Sequence, residues 1–161
     1  MFKRLLLMKQ VPLNADFARL CLRLVCFLTL FVKHGTEKIF TFGAMAQHFP
    51  DPLHIGSVPS LVCAMIGDSI CSLLLVVGLA TRWAALISFI NISVAWAFVH
   101  HFALLGKNND HGELIVLYLG ALLMLFFGGA GRYSVDALLD PPGSESVDAH
   151  EPSERRTVAR V

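Results

Sequence analysis

Four long apolar runs, separated by short polar segments, dominate the sequence. They cover residues 17–40, 58–79, 83–105 and 114–128. A helix rises ~1.5 Å per residue, so about 20 mostly apolar residues cross a hydrocarbon core roughly 30 Å thick. The pattern therefore predicts an all-α protein, a four-transmembrane-helix bundle built from two helical hairpins.

The first run is the least regular of the four. Its most apolar part, residues 18–32, is too short to cross a bilayer and contains Arg19 and Arg23. We expect these arginines to snorkel towards the membrane surface while the helix continues outward through HGTEKIF at 34–40. The next segment, 41–57, is interrupted by glycine and proline and is predicted to form a loop over the outer end of the bundle.

The composition is that of a membrane protein. Of the 161 residues, 55% are hydrophobic and only 16% are charged, against about 25% in a typical soluble protein. The four runs fill residues 1–139 and leave room for a single membrane domain. Residues 140–161 are rich in proline, serine and charge and are predicted to form a disordered tail. No basic stripe interleaved with aromatic residues is present, so a nucleic-acid-binding function is excluded.

Positive charge is distributed unequally between the two ends of the runs. If both termini lie inside, ten of the 13 lysine and arginine residues are on the inner side. These ten are Lys3, Arg4, Lys9, Arg19, Arg23, Arg82, Arg132, Arg155, Arg156 and Arg160, and the outer three are Lys33, Lys38 and Lys107. Cytoplasmic segments are enriched in these residues, so the distribution predicts an N-in, C-in topology with a cytoplasmic tail.

Asp68 lies near the middle of the second run, where an ionised carboxylate is costly. Insertion scales assign roughly 2.5 to 3.5 kcal/mol to an acid at this depth, so the side chain should be protonated, paired or facing water inside the bundle. We interpret Asp68 as a proton-exchanging carboxyl. The alternative is a structural pair, with Lys38 or a histidine, that fixes the packing of two helices.

Further polar residues are expected near the outer ends of the runs. His34 and Lys38 follow the first run, and Glu113 opens the fourth. Glu113 also completes a D-x-x-E helix-capping pattern with Asp110, so a capping role and a proton-relay role both remain open. His34 and His100 are predicted to lie at similar depth, where they could serve as axial ligands of a haem. The absence of HxxxH or HExxH spacing favours interfacial histidines over a metal site.

The inner ends of the second and fourth runs carry similar sequences, GLATRW at 78–83 and GGAGRY at 128–133. Two hairpins in tandem would produce such a repeat, but any inner helix end also favours small residues, arginine and an interfacial aromatic residue. Arg82 and Arg132 are predicted to anchor this face. Asp136 is predicted to pair with Arg132 or Arg82, beside a short helix capped by Ser134.

Several motifs, taken in order and spacing, resemble those of the DoxX family of small bacterial four-helix membrane proteins. They are HGTEKIF at 34–40, the glycine–acid pair at 67–68 with GLATRWAAL at 78–86, HGELIVLYL at 111–119 and GAGRYSVD at 129–136. The resemblance covers about residues 17–139. Members of the family usually carry glutamate where this chain has Asp68, so the acid is kept but its reach is one methylene group shorter.

The resemblance implies a multi-pass protein of the bacterial inner membrane. Some members of the family are subunits of a membrane oxidoreductase linked to quinone or sulfur chemistry, and others look like accessory proteins beside redox or metal-peptide maturation enzymes. Our first hypothesis is a quinone-linked subunit in which Asp68 exchanges protons, His34, Lys38 and His100 contact the ligand, and Glu113 relays protons outward. Electrons would then pass to a membrane or periplasmic redox partner.

The alternative is a non-enzymatic membrane module, either a small-solute or proton pathway or a scaffold for a partner enzyme. A homo-oligomer in the lipid bilayer is compatible with both.

Overall fold

The described residues of the computed structural model, 14–104 and 112–140, form helices and connecting segments and contain no β-strand. Six helices follow one another along these residues: α1 over 15–40, α2 over Phe42–Met45, α3 over Ser57–Val77, α4 over Thr81–Val99, α5 over Gly112–Gly128 and α6 over Val135–Leu139. The all-α prediction is confirmed for this part of the chain. The tail that is predicted to be disordered lies, apart from Asp140, outside the described residues.

Two of the helices, α3 and α4, are long and apolar enough to cross a membrane. Helix α5 is equally apolar but has 17 residues, and α1 is longer but carries charged residues near both ends. Each of these four helices exposes large apolar side chains, for example Val25, Ile70, Ile90 and Leu117, all more than half exposed. Helices that are apolar on the outward face as well as on the core face are typical of a membrane environment.

The helix bounds agree with the apolar runs except at the end of the third. Helix α1 continues through HGTEKIF to Phe40, as expected. Helix α4 ends at Val99 instead of continuing to residue 105. His101 and Phe102 adopt left-handed backbone angles, with φ of 48° and 57°, and the Phe102 N–H donates to the Trp96 carbonyl at 3.0 Å. The chain therefore turns back on itself and packs the Phe102 ring against Trp96, with 5.3 Å between ring centroids.

Four π-helical turns interrupt the long helices, a feature that the apolar periodicity does not reveal. They are Arg23–Phe27 and Phe31–Gly35 in α1, Ile66–Cys71 in α3 and Ala95–Val99 in α4. A wide turn disturbs the backbone hydrogen-bond ladder and frees carbonyl groups for other donors. Ser69 Oγ donates to the Gly35 carbonyl at 3.1 Å, and Ser88 Oγ donates to the Gly67 carbonyl at 3.0 Å. These bonds tie α3 to α1 and α4 to α3.

Arg23 closes the end of the bundle at which α3 and α5 terminate, here called the inner end. Its side chain is 1% exposed, so the prediction that it snorkels to the membrane surface is wrong. The guanidinium donates to the carbonyls of Ala130 at 2.6 Å, Tyr133 at 2.8 Å and Val76 at 3.2 Å. Helix ends leave carbonyls without intrahelical partners, and a buried guanidinium can satisfy several of them at once. Arg19 forms a partly exposed ion pair with Asp16 at 2.9 Å.

Asp136, for which an ion pair with Arg132 or Arg82 is predicted, caps helix α4 instead. Its carboxylate accepts the backbone N–H groups of Ala80 at 2.7 Å and Thr81 at 2.9 Å. An acid is favoured there because the first amides of a helix lack partners and carry the positive end of the helix dipole. Ser134 caps α6 by accepting the N–H of Ala137 at 3.2 Å, as predicted. Helix α6 is therefore fastened to the turn between α3 and α4.

Candidate functional site

A cavity of about 870 Å³ lies near the opposite end of the bundle, where loop 46–56 connects α2 to α3. We call this the outer end. Residues from α1, α3, α4, α5 and the loop line the cavity, and most of them are apolar. The polar and titratable side chains in the wall are His34, Lys38, His48, Ser60, Cys63, Asp68, Asn91, His100 and Tyr118. The size falls in the range of pockets that hold small organic molecules, roughly 300 to 1,000 Å³.

A buried ion pair forms the polar part of this cavity. Lys38 Nζ lies 2.8 Å from Asp68 Oδ2, and Asn91 Nδ2 donates to Asp68 Oδ1 at 2.9 Å. Lys38 and Asp68 are each 9% exposed. Both carboxylate oxygens therefore have a donor within the protein, and the three side chains connect α1, α3 and α4.

The direction of the helices explains how Lys38 and Asp68 meet. Helix α1 runs towards the outer end and α3 runs away from it. The Cα–Cβ bonds of a helix tilt towards its N-terminus, so the Lys38 side chain leans back towards the middle of the bundle and Asp68 leans outward. Asp68 is placed near the centre of α3, and the long lysine side chain covers the remaining distance. The structural contact predicted from the sequence is thus present.

Two glycines allow the helices to approach closely around the pair. A Cβ atom on Gly35 would lie 2.7 Å from the backbone oxygen of Asp68, and one on Gly67 would lie 2.6 Å from Asn91 Nδ2. Neither distance is tolerated by real Cβ atoms, so any larger residue would separate α1 from α3 or α4 from α3. The sequence does carry a signal for these two glycines, because each is adjacent to a candidate functional residue. Gly35 follows His34, and Gly67 precedes Asp68.

Loop 46–56 contributes to the cavity wall and is fastened by Asp51. The Asp51 carboxylate accepts hydrogen bonds from Ser60 Oγ at 2.7 Å and from the backbone N–H groups of Gly56 at 2.7 Å and Ile55 at 3.0 Å. The bond from Ser60, with those from the two amides, lowers the pKa of Asp51 below its ordinary value. The predicted loop 41–57 is thus present over residues 46–56, whereas Phe42–Met45 forms the short helix α2.

Replacing Asp51 with asparagine is expected to loosen this loop at pH 7. Because the pKa of Asp51 is lower in the folded protein than in the unfolded chain, its contribution is complete at neutral pH and is lost as pH falls through the lowered value. Hydrogen exchange at the Ile55 and Gly56 amides should become roughly tenfold faster, as expected for the loss of one charge-assisted hydrogen bond. The exposed Glu37→Gln variant is the control, and equal exchange in both variants would contradict the role of Asp51.

The structure brings most of the predicted site residues together and separates one. His34, Lys38, Asp68 and His100 all line the cavity. Glu113 is exposed on the first turn of α5 and is not part of the cavity wall. The capping residue predicted for it, Asp110, lies outside the described residues. Within 14–104 and 112–140, no group of three or more histidine, cysteine or acidic side chains is placed to hold a metal ion.

Sequence reasoning assigned no role to several polar residues of the wall, of which Asn91 and Tyr118 are examples. Asn91 is the one amide side chain in the third apolar run, and Tyr118 is the one tyrosine in the fourth. Tyr118 Oη lies 3.3 Å from Thr29 Oγ1, which brings α5 against α1. A lone polar side chain in an apolar span was the available signal, because such residues usually face the interior of a membrane bundle.

The fold and the site define a helical membrane protein with a buried ion pair beneath an apolar cavity. Residues 18–101 match the family model of DoxX, and the chain belongs to the DoxX family. Two proteins of Haemophilus influenzae, both described as uncharacterized, are similar to it. One is 33% identical over 119 residues, covering 66% of this chain and 80% of the relative. The other is 33% identical over 101 residues, covering 61% of this chain and 66% of the relative. No solved structure matches the chain significantly.

Proposed function

We propose that the chain is a multi-pass protein of the bacterial inner membrane in which α1, α3, α4 and α5 span the bilayer with both termini in the cytoplasm. The outward-facing apolar side chains of these helices support this arrangement. Arg82 is exposed at the inner end beside the exposed aromatic ring of Trp83, and Arg132 is exposed there beside that of Tyr133. Cationic and aromatic residues at one end of a bundle are typical of the cytoplasmic interface.

Reporter fusions test this topology. Green fluorescent protein fused after Val161 should fluoresce, and alkaline phosphatase at the same position should be inactive, because the first folds in the cytoplasm and the second only outside it. Alkaline phosphatase inserted within loop 46–56 should be active. An active phosphatase at the C-terminus would contradict the N-in, C-in topology.

The cavity, in this proposal, binds a quinone, and the protein is a subunit of a membrane oxidoreductase. The observation that supports it is an apolar cavity of ligand size with an ionisable pair in its wall. A bound quinone supplies redox chemistry in which two electrons and two protons are exchanged. Electrons would pass to a redox partner in the membrane or the periplasm.

The residues of the wall have distinct parts in this mechanism. The Lys38 ammonium has three N–H donors, of which two are directed at Asp68 and, at 3.5 Å, at the His34 carbonyl, leaving one for a ligand oxygen. The Asp68 carboxylate would accept a proton from the hydroxyl of a bound quinol when the lysine moves from the carboxylate to the ligand oxygen. His34 and His100 orient the ligand from the wall of the cavity. Glu113, exposed at the start of α5, passes the proton outward.

Substituting Asp68 with asparagine tests this function. The wild-type protein, purified in mild detergent, is expected to carry quinone that mass spectrometry detects after extraction. Asp68→Asn should retain at least about tenfold less, which corresponds to the loss of one charge-assisted hydrogen bond. Asp16→Asn, which removes an acid at the inner end, should retain the wild-type amount. Full retention in a folded Asp68→Asn variant would sink the proposal.

A second function is favoured by the contacts of Asp68. Each of its oxygens has a donor from the protein, so in this alternative the acid holds α1, α3 and α4 together in a non-enzymatic membrane module. Such a module would recruit a partner enzyme or conduct a small solute. It predicts no bound quinone in the wild type and either an intact partner complex in Asp68→Asn or pH-dependent flux in liposomes.

A further inference from the structure

Helices α3 and α4 pack closely near their connecting turn and separate beyond Gly67. The Ser88 Oγ bond to the Gly67 carbonyl and the close approach of Gly67 to Asn91 mark the last tight contact. The outer segments of the two helices, Ser57–Met65 and Ala95–Val99, make little contact with each other. A gap therefore opens between α3 and α4 on the outer side of the ion pair.

The side chains that border this gap belong to the cavity wall and are exposed at the same time. Ile66 is 36% exposed, Ile87 43% and Ile90 54%, and Cys63 is also exposed. Residues that both line the cavity and are exposed mark the places where its wall is no more than one side chain thick. The opening is apolar and lies on the flank of two helices that are long enough to span a membrane.

Other exposed residues of the wall, among them Leu53, Ile55, Val99 and Leu114, lie at the outer end of the bundle. On the side of α1 and α5 the wall is formed by Leu30 and Tyr118, which are 3% and 9% exposed, and the Tyr118–Thr29 contact joins the two helices. At the outer end, loop 46–56 forms the wall and is held by Asp51. Of these openings, the gap between α3 and α4 is the one on the flank of the two helices that are long enough to span a membrane.

We propose that the ligand of the cavity is an amphiphile with a long apolar tail that enters sideways from the bilayer through this gap. Its polar head reaches Lys38 and Asp68, and its tail lies between Ile66 and Ile90 with the free end in lipid. This inference rests on the proposed function for the identity of the head, and it adds that the tail is part of what the site recognises. Continuity between the ion pair, the apolar wall and the apolar gap supports a single ligand that spans all three.

Cys63 provides a reporter for the gap in the unmodified protein. The full chain in liposomes is alkylated with lipid-soluble N-phenylmaleimide, and mass spectrometry follows Cys63 and, as an internal control, Cys21, which is exposed on α1 outside the cavity wall. Saturating decylubiquinone is expected to slow alkylation of Cys63 by at least about fivefold and to leave Cys21 unchanged. Duroquinone, a fully substituted quinone without a tail, should not slow either cysteine.

The outcomes separate the two proposals. If dodecanol protects Cys63 but decylubiquinone does not, the gap admits apolar chains and the quinone assignment fails. If no tailed compound protects Cys63 more than Cys21, or if duroquinone protects as well as decylubiquinone, lateral entry is overturned. Ile90→Trp, which fills the gap, should by itself slow alkylation of Cys63. Ile70→Trp, a similarly exposed position outside the cavity wall, should not.

Discussion

Replacing Arg23 with methionine is expected to lower the free energy of unfolding by about 4 kcal/mol. Hydrogen bonds to a charged donor contribute roughly 1.5 to 3 kcal/mol each, and Arg23 makes three of them to the carbonyls of Val76, Ala130 and Tyr133. Methionine fills part of the volume but leaves these carbonyls without a donor at the inner end. Arg23→Lys should recover only part of the lost free energy of unfolding, because a single ammonium group cannot reproduce the planar fork of donors of a guanidinium.

Unfolding by sodium dodecyl sulfate in mixed micelles, followed by circular dichroism, measures this loss. Arg19→Met is the matched control, since Arg19 lies one turn earlier on α1 and forms a partly exposed ion pair of less than about 1 kcal/mol. Losses of similar size in the two variants would show that the three carbonyl contacts of Arg23 contribute little.

The second large effect is expected at the ion pair. Lys38→Met should destabilise the protein by about 3 kcal/mol, because it leaves the buried Asp68 carboxylate with Asn91 as its remaining partner. Breaking a buried ion pair usually costs roughly 3 to 5 kcal/mol. We expect the lower end of this range because water in the cavity can reach the Asp68 carboxylate. The double variant Lys38→Met/Asp68→Leu should recover most of the loss, since replacing both members of a buried pair removes the uncompensated charge.

The same unfolding measurement distinguishes the explanations. A double variant as unstable as Lys38→Met would mean that lost packing of the lysine stem, not an unpaired carboxylate, causes the effect. Lys33→Met, at an exposed position on α1, controls for the general loss of positive charge at the outer end.

The sequence was sufficient to predict the four long helices and a contact between Lys38 and Asp68, but not the bond from Asn91 to Asp68. Apolar runs report helix positions directly, and charged residues inside such runs are few enough that Lys38 and Asp68 were natural partners. Arg23 was misread because the cost of burying a guanidinium depends on carbonyls from Val76, Ala130 and Tyr133, which are distant along the chain. No local pattern encodes such contacts.

The π-helical turns and the cavity could not be predicted from the sequence, for a related reason. Hydrophobic periodicity assumes 3.6 residues per turn, so one extra residue in Ile66–Cys71 shifts the buried face without leaving a compositional mark. The end of α4 was placed too late because His101 and Phe102 turn back through left-handed backbone angles that these residue types seldom adopt. The cavity depends on the gap between α3 and α4, which is a property of helix geometry.

The two ends of the bundle are not equivalent, because the inner end is closed and the cavity lies near the outer end. Phe27, Leu75, Leu122 and Leu125 are each 0% exposed and, with the contacts of Arg23, fill the bundle between the cavity and the inner end. The cavity beside Asp68 is therefore closed at the inner end and reached from the outer half of the molecule. A transporter would need a second conformation in which this core parts, whereas the proposed redox subunit would work in the observed one and release its protons at the outer end.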